Sequence, residues 1–303
     1  MAKIVLYFGK FNLISGPLFE VYNGKTKMHD IMLNVLLSIQ DGISYEKEVK
    51  FKPDDGEEVL KEEIIYKISI REKTDTYVQG YLYKNSKIYF KNFNEATKQF
   101  VTKSVRNDEG VEFYFDVFSE MVGYYTANRL GHKEFREAFC NVINKAVEKY
   151  DYEFELKPYT KGLSLDEIKN DLKSMGALKS ITIKYHIPNP GEEMLKKIAQ
   201  DGEGIENFKK ANLAKKSVLL TSANKQGINV DSEEVNKELN QIESIHSSMD
   251  AKTATKNAYV QIDATSFSGI NMSTLQKRPV KREIGNIIEF AEACAEVIKR
   301  RKS

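Results

Sequence analysis

The chain has 303 residues, of which 41% are hydrophobic and 11% aromatic, and its 46 Lys and Arg against 44 Asp and Glu give a net charge of +2. So many aromatic residues can bury enough apolar area to offset chain entropy, which excludes a wholly disordered protein. The length suits two domains, or one elaborate domain, with a sizeable core. A charge near zero argues at first against nucleic-acid binding, because neutralised phosphates supply much of that affinity.

Targeting signals and a disulfide framework are absent from the sequence pattern. The most apolar stretch, Ile31–Ile39, is interrupted by polar residues and falls short of the roughly 18 apolar residues of a membrane span. Gly9 and Lys10 interrupt the first apolar run, which lacks the pattern of a secretory signal. We therefore expect a cytoplasmic protein. Cys140 and Cys294 each lie in a helical pattern, which favours two reduced core thiols.

The first half of the chain is dominated by strand patterns. A first helix is predicted at Asp30–Gln40, where apolar residues recur at helical spacing. The acidic, turn-rich segment Asp41–Glu63 is predicted to be a solvated connection. Strand patterns occur at Val5–Leu13, Ile64–Arg71, Tyr77–Lys84, Ile88–Phe90, Val111–Phe118 and Val122–Asn128, the last two forming an aromatic-rich hairpin.

Helical patterns become more frequent after residue 130. A helix at Lys133–Tyr150 and a strand at Tyr152–Lys157 precede a helix that Ser164 opens, with Glu167 at the reciprocal capping position. The strand Ser180–Ile187 then ends at two closely spaced prolines. Further helices are predicted at Glu192–Gln200, Phe208–Lys216, Asp231–His246 and Glu283–Arg301, and short strands at Val218–Thr221 and Tyr259–Ala264.

These elements predict an α+β fold with mixed or antiparallel sheets, flanking helices and two subdomains. We expect an N-terminal α+β region at residues 1–110, a compact α/β unit at residues 111–189, and a helical, basic region at residues 190–303. Whether the last region packs back on residues 1–110 stays open at this point.

Phosphate-binding glycine motifs and zinc motifs are missing. The nearest glycine pair, Gly202 and Gly204, is flanked by Asp201 and Glu203, whose charges would repel a phosphate. The four histidines are far apart in sequence, and none forms a His-x-x-x-His pair. The sequence therefore predicts no cofactor and no metal.

Glu155-Leu156-Lys157 matches the Glu-x-Lys step of metal-dependent nucleases, in which the carboxylate holds a divalent ion and the lysine orients a water. Asp116, from an earlier strand, is the acid that could complete such a site. Glu112 and Glu120 extend the row of nearby carboxylates. Alternating Glu153, Glu155 and Lys157 are also typical of the polar face of a half-exposed strand, and this second interpretation is favoured.

Aromatic and basic segments carry a different signal. Tyr-rich segments at Tyr77–Tyr89 and Tyr114–Tyr125 could stack bases, although sheet packing is the more frequent role of such residues. The net charge hides an acidic Asp41–Glu63 and a basic C-terminal region. Its predicted nucleic-acid-binding residues are Lys209, Lys210, Lys215, Lys216, Lys225, Lys277, Arg278, Lys281, Arg282, Arg300 and Arg301. Phosphate contact and a merely solubilising surface are equally good interpretations of these clusters.

The order of the strand segments resembles that of RexA-like phage-exclusion and KwaB-like phage-defence proteins. The resemblance covers roughly residues 65–200 and is carried by Tyr81-Leu82-Tyr83-Lys84, Lys87-Ile88-Tyr89-Phe90, Glu112-Phe113-Tyr114-Phe115, Val122-Gly123-Tyr124-Tyr125, Tyr152–Lys157 and Ile181-Thr182-Ile183-Lys184. It implies a homodimer that binds DNA, rather than RNA, without sequence specificity and acts with a separate membrane or effector protein. It supplies no catalytic residue.

Three hypotheses follow. The first is a non-catalytic, non-sequence-specific DNA-binding protein of an antiphage defence or exclusion system. The second is a metal-dependent nuclease that uses Asp116, Glu155 and Lys157. The third is an interaction or oligomerisation protein whose last helix, Glu283–Arg301, exposes an apolar stripe to a partner.

Overall fold

The fold is that of a computed structural model, which describes residues 3–51, 59–126, 130–190, 195, 203–245 and 249–300. The α+β class is confirmed, because helices and antiparallel strands alternate irregularly along these residues. The strands are β1 (Ile4–Leu13), β2 (Ser44–Phe51), β3 (Val59–Lys73), β4 (Tyr77–Asn94), β5 (Gln99–Asp116), β6 (Met121–Tyr124), β7 (Phe154–Pro158), β8 (Leu178–His186), β9 (Lys215–Thr221), β10 (Val260–Ser266), β11 (Asn271–Ser273) and β12 (Lys281–Ile284). The helices are α1 (Pro17–Tyr22), α2 (Met28–Ser38), α3 (His132–Val147), α4 (Leu165–Ser174), α5 (Glu203–Lys210), α6 (Glu233–Ile245), α7 (Ala251–Lys256) and α8 (Phe290–Lys299).

The first sheet has eight strands, with β12-β1-β6-β5-β4-β3-β2 in order and β7 also paired with β1. The two halves of β1 have different partners on the same edge. Its first half pairs with β12, and its second half pairs with β7. The second sheet has four strands in the order β11-β10-β8-β9. All pairs in both sheets are antiparallel.

Two layers of apolar side chains hold the first sheet. On one face, Phe11 and Phe115 contact Phe139 of α3, with ring centroids 6.3 Å and 5.7 Å away. On the other face, Phe290 and Cys294 of α8 are buried with residues of β1, β5 and β6. Each of these buried phenylalanines contributes about 1.5–3 kcal/mol through the hydrophobic effect.

The second sheet follows the alternation of a half-buried sheet. Ile181, Ile183 and Tyr185 of β8 are buried, and Tyr185 donates a 3.0 Å hydrogen bond to the carbonyl oxygen of Glu238 in α6. Side chains at the intervening positions, such as Lys184, are half-buried and polar. The strand period of two therefore separates a helix-covered face from a polar face.

Several expected elements are wrong in type. Within Asp41–Glu63, predicted to be a solvated connection, β2 pairs with β3 from Ser44 opposite Lys67 to Phe51 opposite Val59, and residues 52–58 lie outside the described part. An edge strand tolerates charged side chains, so the polarity of this segment did not distinguish a strand from a solvated loop. The helix predicted at Phe208–Lys216 is wrong beyond Lys210, where α5 ends, because the chain turns at Asn212, with φ of 52°, and enters β9.

The last predicted helix is shorter than expected. Its first residues form β12, which pairs with β1, and α8 begins only at Phe290. The apolar stripe of α8 faces the core, since Ala293, Cys294 and Ile298 are buried. The helix α8 therefore packs its apolar side on the core, whereas Ile288, just before it, is 84% exposed, and docking of this segment on a partner stays a prediction. Of the predicted helix at Glu192–Gln200, all but Leu195 lies outside the described residues.

The two sheets do not follow the expected division of the chain. Position 110 falls inside β5, and β7 and β8, both within residues 111–189, belong to different sheets. Because β12 pairs with β1, the C-terminal segment completes the N-terminal sheet. The chain therefore crosses between the two sheets more than once.

Candidate functional site

The proposed nuclease residues do not meet. Asp116 lies opposite Met121, which is opposite Lys10, which is opposite Lys157. These residues share a face of the sheet, but three strand spacings, about 14 Å, separate Asp116 from β7. Ligands of one divalent ion lie about 2.0–2.6 Å from it, so Asp116 and Glu155 cannot share a metal. In the described part of the chain, no three His, Cys, Asp or Glu side chains are arranged to hold a metal ion.

Glu155 instead forms a charge cluster with His186, Lys157 and Lys215. Its Oε1 lies 2.9 Å from Nδ1 of His186, and its Oε2 lies 3.2 Å from Nζ of Lys157 and 3.0 Å from Nζ of Lys215. Burial would raise the pKa of Glu155, but His186 and the two lysines outweigh it and lower the pKa to about 2. The cluster joins β7 of the first sheet to β8 and β9 of the second. It acts as an electrostatic tie between the sheets.

The other carboxylates of the predicted row have separate partners. Glu112 is fully buried and accepts hydrogen bonds from Gln79 at 2.8 Å and Arg71 at 3.3 Å. Glu120 forms a buried ion pair with Lys10 and also accepts a bond from another buried side chain. These partners hold the two acids apart and leave no shared acid–base pair.

Most of the described members of the predicted basic set contact a carboxylate. Ten of the eleven are described, and Arg301 lies outside the described residues. Six of the ten contact a carboxylate: Lys209 contacts Glu206, Lys215 contacts Glu155, Lys277 contacts Asp171, Arg278 contacts Glu167, and Arg282 and Arg300 both contact Glu296. The exposed sequence clusters are thus weaker sources of positive potential than the sequence alone indicates.

The four other described members are dispersed. Lys210 ends α5, and Lys225 lies in the connection between β9 and α6. Nζ of Lys216 lies 5.8 Å from the ring centroid of Tyr185 in the second sheet. Lys281 lies at the edge of the first sheet, where it pairs with a residue of β1. The predicted residues therefore come from several separate elements of the fold.

Two of the predicted basic residues, Lys277 and Arg278, lie near other cations that are distant in sequence. Three segments meet where the chain crosses between the sheets, and they form a junction patch of Lys161, Lys252, Lys256, Lys277 and Arg278. The backbone nitrogen of Lys161 donates a 2.9 Å bond to the carbonyl oxygen of Arg278. The backbone nitrogen of Thr160 donates a 3.3 Å bond to the carbonyl oxygen of Lys256. These bonds hold the three segments side by side.

Gly162 permits this close approach. Its φ of +74° belongs to the left-handed region that favours glycine. A Cβ at this position would lie 2.1 Å from the carbonyl oxygen of Lys252. The backbone contact between these two segments therefore requires a residue without a side chain.

The junction patch retains a positive charge after its ion pairs are counted. Arg278 contacts Glu167, and Nζ of Lys277 lies 3.3 Å from Asp171. Five cations and two carboxylates leave a net charge of 5 − 2 = +3. Within the described ranges, no carboxylate lies within 4.0 Å of the three other lysines, which form the open part of the patch. Lys161 and Lys252 are exposed to solvent.

Glu167 links the patch to the start of α4. Ser164 and Glu167 form the reciprocal capping box that the sequence predicted, with bonds of 2.9 Å and 3.3 Å. The hydrogen bond from the backbone of Ser164, together with Arg278, lowers the pKa of Glu167 to about 2. Arg278 is consequently anchored and Lys277 contacts Asp171, whereas Lys161 and Lys252 are exposed to solvent. The sequence did not indicate Lys161, Lys252 and Lys256 as part of the site, because each of them is far from Lys277 along the chain.

The fold and the patch together define an α+β protein with two antiparallel sheets and a cationic surface where the chain crosses between them. A family model described as a domain of unknown function, DUF4747, matches residues 57–249, which is more than half of the chain. The chain belongs to this family. No curated protein matches it. No helix in the described segments has both the length and the hydrophobicity required to cross a bilayer.

Proposed function

We propose that this protein binds nucleic acid through the junction patch, without reading base sequence. The observation that supports the proposal is the convergence of five cations from three separate segments, with a net charge of +3 after the two contacting carboxylates are counted. Lysine and arginine on an exposed surface contact phosphates, which carry no sequence information. Affinity should therefore fall steeply as salt rises.

The other expectations drawn from the sequence are supported by the sequence alone. Homodimerisation, the preference for DNA, the cytoplasmic location, a membrane or effector partner and the antiphage role stay predictions. The resemblance to phage-exclusion and phage-defence proteins motivates the dimer, the partner and the antiphage role. The nuclease alternative loses its basis because Asp116 is three strands away from Lys157.

The test is the salt dependence of duplex binding by the full-length chain. Fluorescence anisotropy of a labelled duplex is measured at several salt concentrations between about 50 and 200 mM. The double variant Lys161→Gln/Lys252→Gln removes two exposed cations that have no contacting carboxylate within the described ranges. If both contact phosphates, the slope of log affinity against log salt should fall by about 2 in magnitude.

Lys210→Gln/Lys225→Gln is the matched control. It removes the same charge from two exposed lysines that belong to the predicted sequence clusters and lie outside the junction patch. We expect its slope to stay within about 0.5 of the wild-type slope, since a lost contact changes the slope by about 1. Equal losses in both double variants, or no duplex binding by the wild type at about 50 mM salt, would refute the junction patch as the binding surface.

A further inference from the structure

A second surface lies on the long hairpin of the first sheet. Strands β4 and β5 pair without a register shift from Tyr77 opposite Asp116 to Asn94 opposite Gln99. Ladder pairing of β4 with β3 ends at Ile88. Beyond that residue, β4 and β5 form a two-stranded ribbon. A two-stranded ribbon has little independent stability in water.

Aromatic side chains share one face of this hairpin. Tyr81, Tyr83, Tyr89 and Phe93 are separated by even numbers of residues along β4, and Phe100 of β5 lies directly opposite Phe93. We call these five residues the arm face. In the other direction this face of the sheet continues to Tyr77, which packs with the buried residues around α8. The arm face therefore begins where the cover provided by α8 ends.

The rings at the far end of the arm face are open to solvent. The exposed fraction is 45% for Phe93 and 69% for Phe100, and it is 37% for Tyr81. The rings of Phe93 and Phe100 contact each other edge to face, with centroids 5.2 Å apart. Contiguous exposed apolar groups mark interaction surfaces in soluble proteins.

The ribbon is also basic. Residues 88–106 contain Lys91, Lys98, Lys103 and Arg106 with the single acid Glu95, which gives a net charge of 4 − 1 = +3. In the described segments, none of these cations lies within 4.0 Å of a carboxylate. On the arm face itself, Lys91 stands between Tyr89 and Phe93 along β4. Positive charge therefore alternates with aromatic rings along an open sheet face.

This arrangement favours unpaired nucleotides over a lipid surface. The turn at the tip, residues 94–99, is Asn-Glu-Ala-Thr-Lys-Gln, so insertion into lipid tip first would bury polar groups before the rings. Alternate residues of a strand lie about 6.7 Å apart on one face, which presents successive rings in a row. Aromatic rings on an antiparallel sheet stack unpaired bases of any sequence, and neighbouring cations follow the phosphates.

We propose that the arm face binds single-stranded nucleic acid, with bases stacked on the exposed rings and phosphates held by Lys91 and Arg106. The inference rests on the proposed function only in that both concern nucleic acid. The residues of the arm face are separate from those of the junction patch, so each surface can be tested alone. Duplex bases are already stacked on one another, and the arm face should therefore discriminate against duplexes.

The test compares a labelled oligothymidylate with a duplex of equal length at one salt concentration. Phe93→Ala/Phe100→Ala removes two exposed rings, and base stacking lost at both positions should weaken oligothymidylate binding by about 30-fold or more. Duplex binding should change by less than about two-fold, because a duplex offers phosphates to the junction patch. Unchanged thermal unfolding would show that the variant is folded.

Phe90→Ala is the matched control, since Phe90 is on the same ribbon, is also 45% exposed and lies on the opposite face. It should leave oligothymidylate binding unchanged. Phe93→Leu/Phe100→Leu keeps apolar side chains but removes the rings, so it should bind as weakly as the alanine variant if stacking is responsible. Full affinity in the leucine variant would overturn stacking.

Further outcomes separate the two proposals. Wild-type affinity of the alanine variant for oligothymidylate, or an equal loss in Phe90→Ala, refutes the arm face. The alanine variant could instead lose sedimentation with anionic phospholipid vesicles while it keeps wild-type binding to oligothymidylate. This result would assign the arm face to lipid and refute its binding of single-stranded nucleic acid. Wild-type binding to oligothymidylate but not to the duplex refutes the junction patch alone. Loss of duplex binding in Lys161→Gln/Lys252→Gln with oligothymidylate binding retained supports separate surfaces.

Discussion

The substitution Glu155→Gln tests whether the charge cluster ties the two sheets together. Glutamine preserves the shape of the side chain but removes the negative charge. The variant leaves Lys157 and Lys215, which both contact Oε2 of Glu155, without their shared counterion. Removing one partner from a largely buried ion pair leaves uncompensated charge in a medium of low dielectric constant, which destabilises the fold.

The magnitude follows from the pKa of Glu155. The pKa falls from 4.5 to about 2 on folding, and at 1.36 kcal/mol per unit this corresponds to about 3 kcal/mol of stability at pH 7. The side chain of Lys215 is 42% exposed, so solvent screens part of its attraction. We therefore expect Glu155→Gln to lower the free energy of unfolding by about 2–3 kcal/mol at pH 7.

The pH dependence has a definite sign. Because the pKa of Glu155 is lower in the folded state, its contribution is fully present above about pH 4.5 and is lost as the pH falls toward 2. The difference between wild type and Glu155→Gln should thus be larger above about pH 4.5 and shrink to about 1 kcal/mol at pH 3. Urea unfolding followed by circular dichroism measures both values.

Glu153→Gln provides the control immediately before the same strand. Glu153 is exposed, and the ion pairs in the described part of the chain do not include it. Its substitution should change the free energy of unfolding by less than about 0.5 kcal/mol at either pH. If Glu155→Gln matches the wild type at pH 7, or if its deficit is the same at pH 3, the cluster does not stabilise the fold through charge.

Two further predictions concern backbone geometry and thiol burial. Gly162→Ala should destabilise the protein by about 2 kcal/mol or more in urea unfolding and weaken duplex binding, because its Cβ would clash with Lys252. Gly176→Ala is the control, since its φ is +75° but no atom lies within 4 Å, and it should cost about 1 kcal/mol. Burial raises the pKa of both Cys140 and Cys294, so a thiol reagent should modify them only when the protein unfolds; rapid modification of the native protein would contradict their burial.

Local patterns could be predicted from the sequence. The helix opened by Ser164 and Glu167 is present with its capping box, because all of its determinants lie within four residues. The hairpin of β5 and β6 is present for the same reason. The strand β2 was missed because its many charged residues are as typical of an edge strand as of a solvated loop.

Long-range pairing explains the errors in the predicted site. The sequence cluster around Arg278 looked free, but its carboxylate partner, Glu167, is 111 residues away along the chain. The lysines that the fold adds to this cluster are also distant from it in sequence. Lys161 and Lys252 join the cluster only through backbone contacts across the junction. Neither the pairing of Arg278 with Glu167 nor the addition of Lys161 and Lys252 can be read from the local sequence.

The two proposed surfaces differ in the same respect. The arm face is a local feature, since hairpin register alone places Phe93 opposite Phe100. The predicted segment Tyr77–Tyr89 contains three of its five rings, but Phe93 and Phe100 lie beyond that segment. The second Tyr-rich segment has the same composition, yet Tyr124 is buried because α3 covers it. Composition therefore indicated candidate rings, and packing decides which of them are exposed to solvent. A substitution in the hairpin should perturb one surface only, whereas any change that separates the sheets should abolish the junction patch.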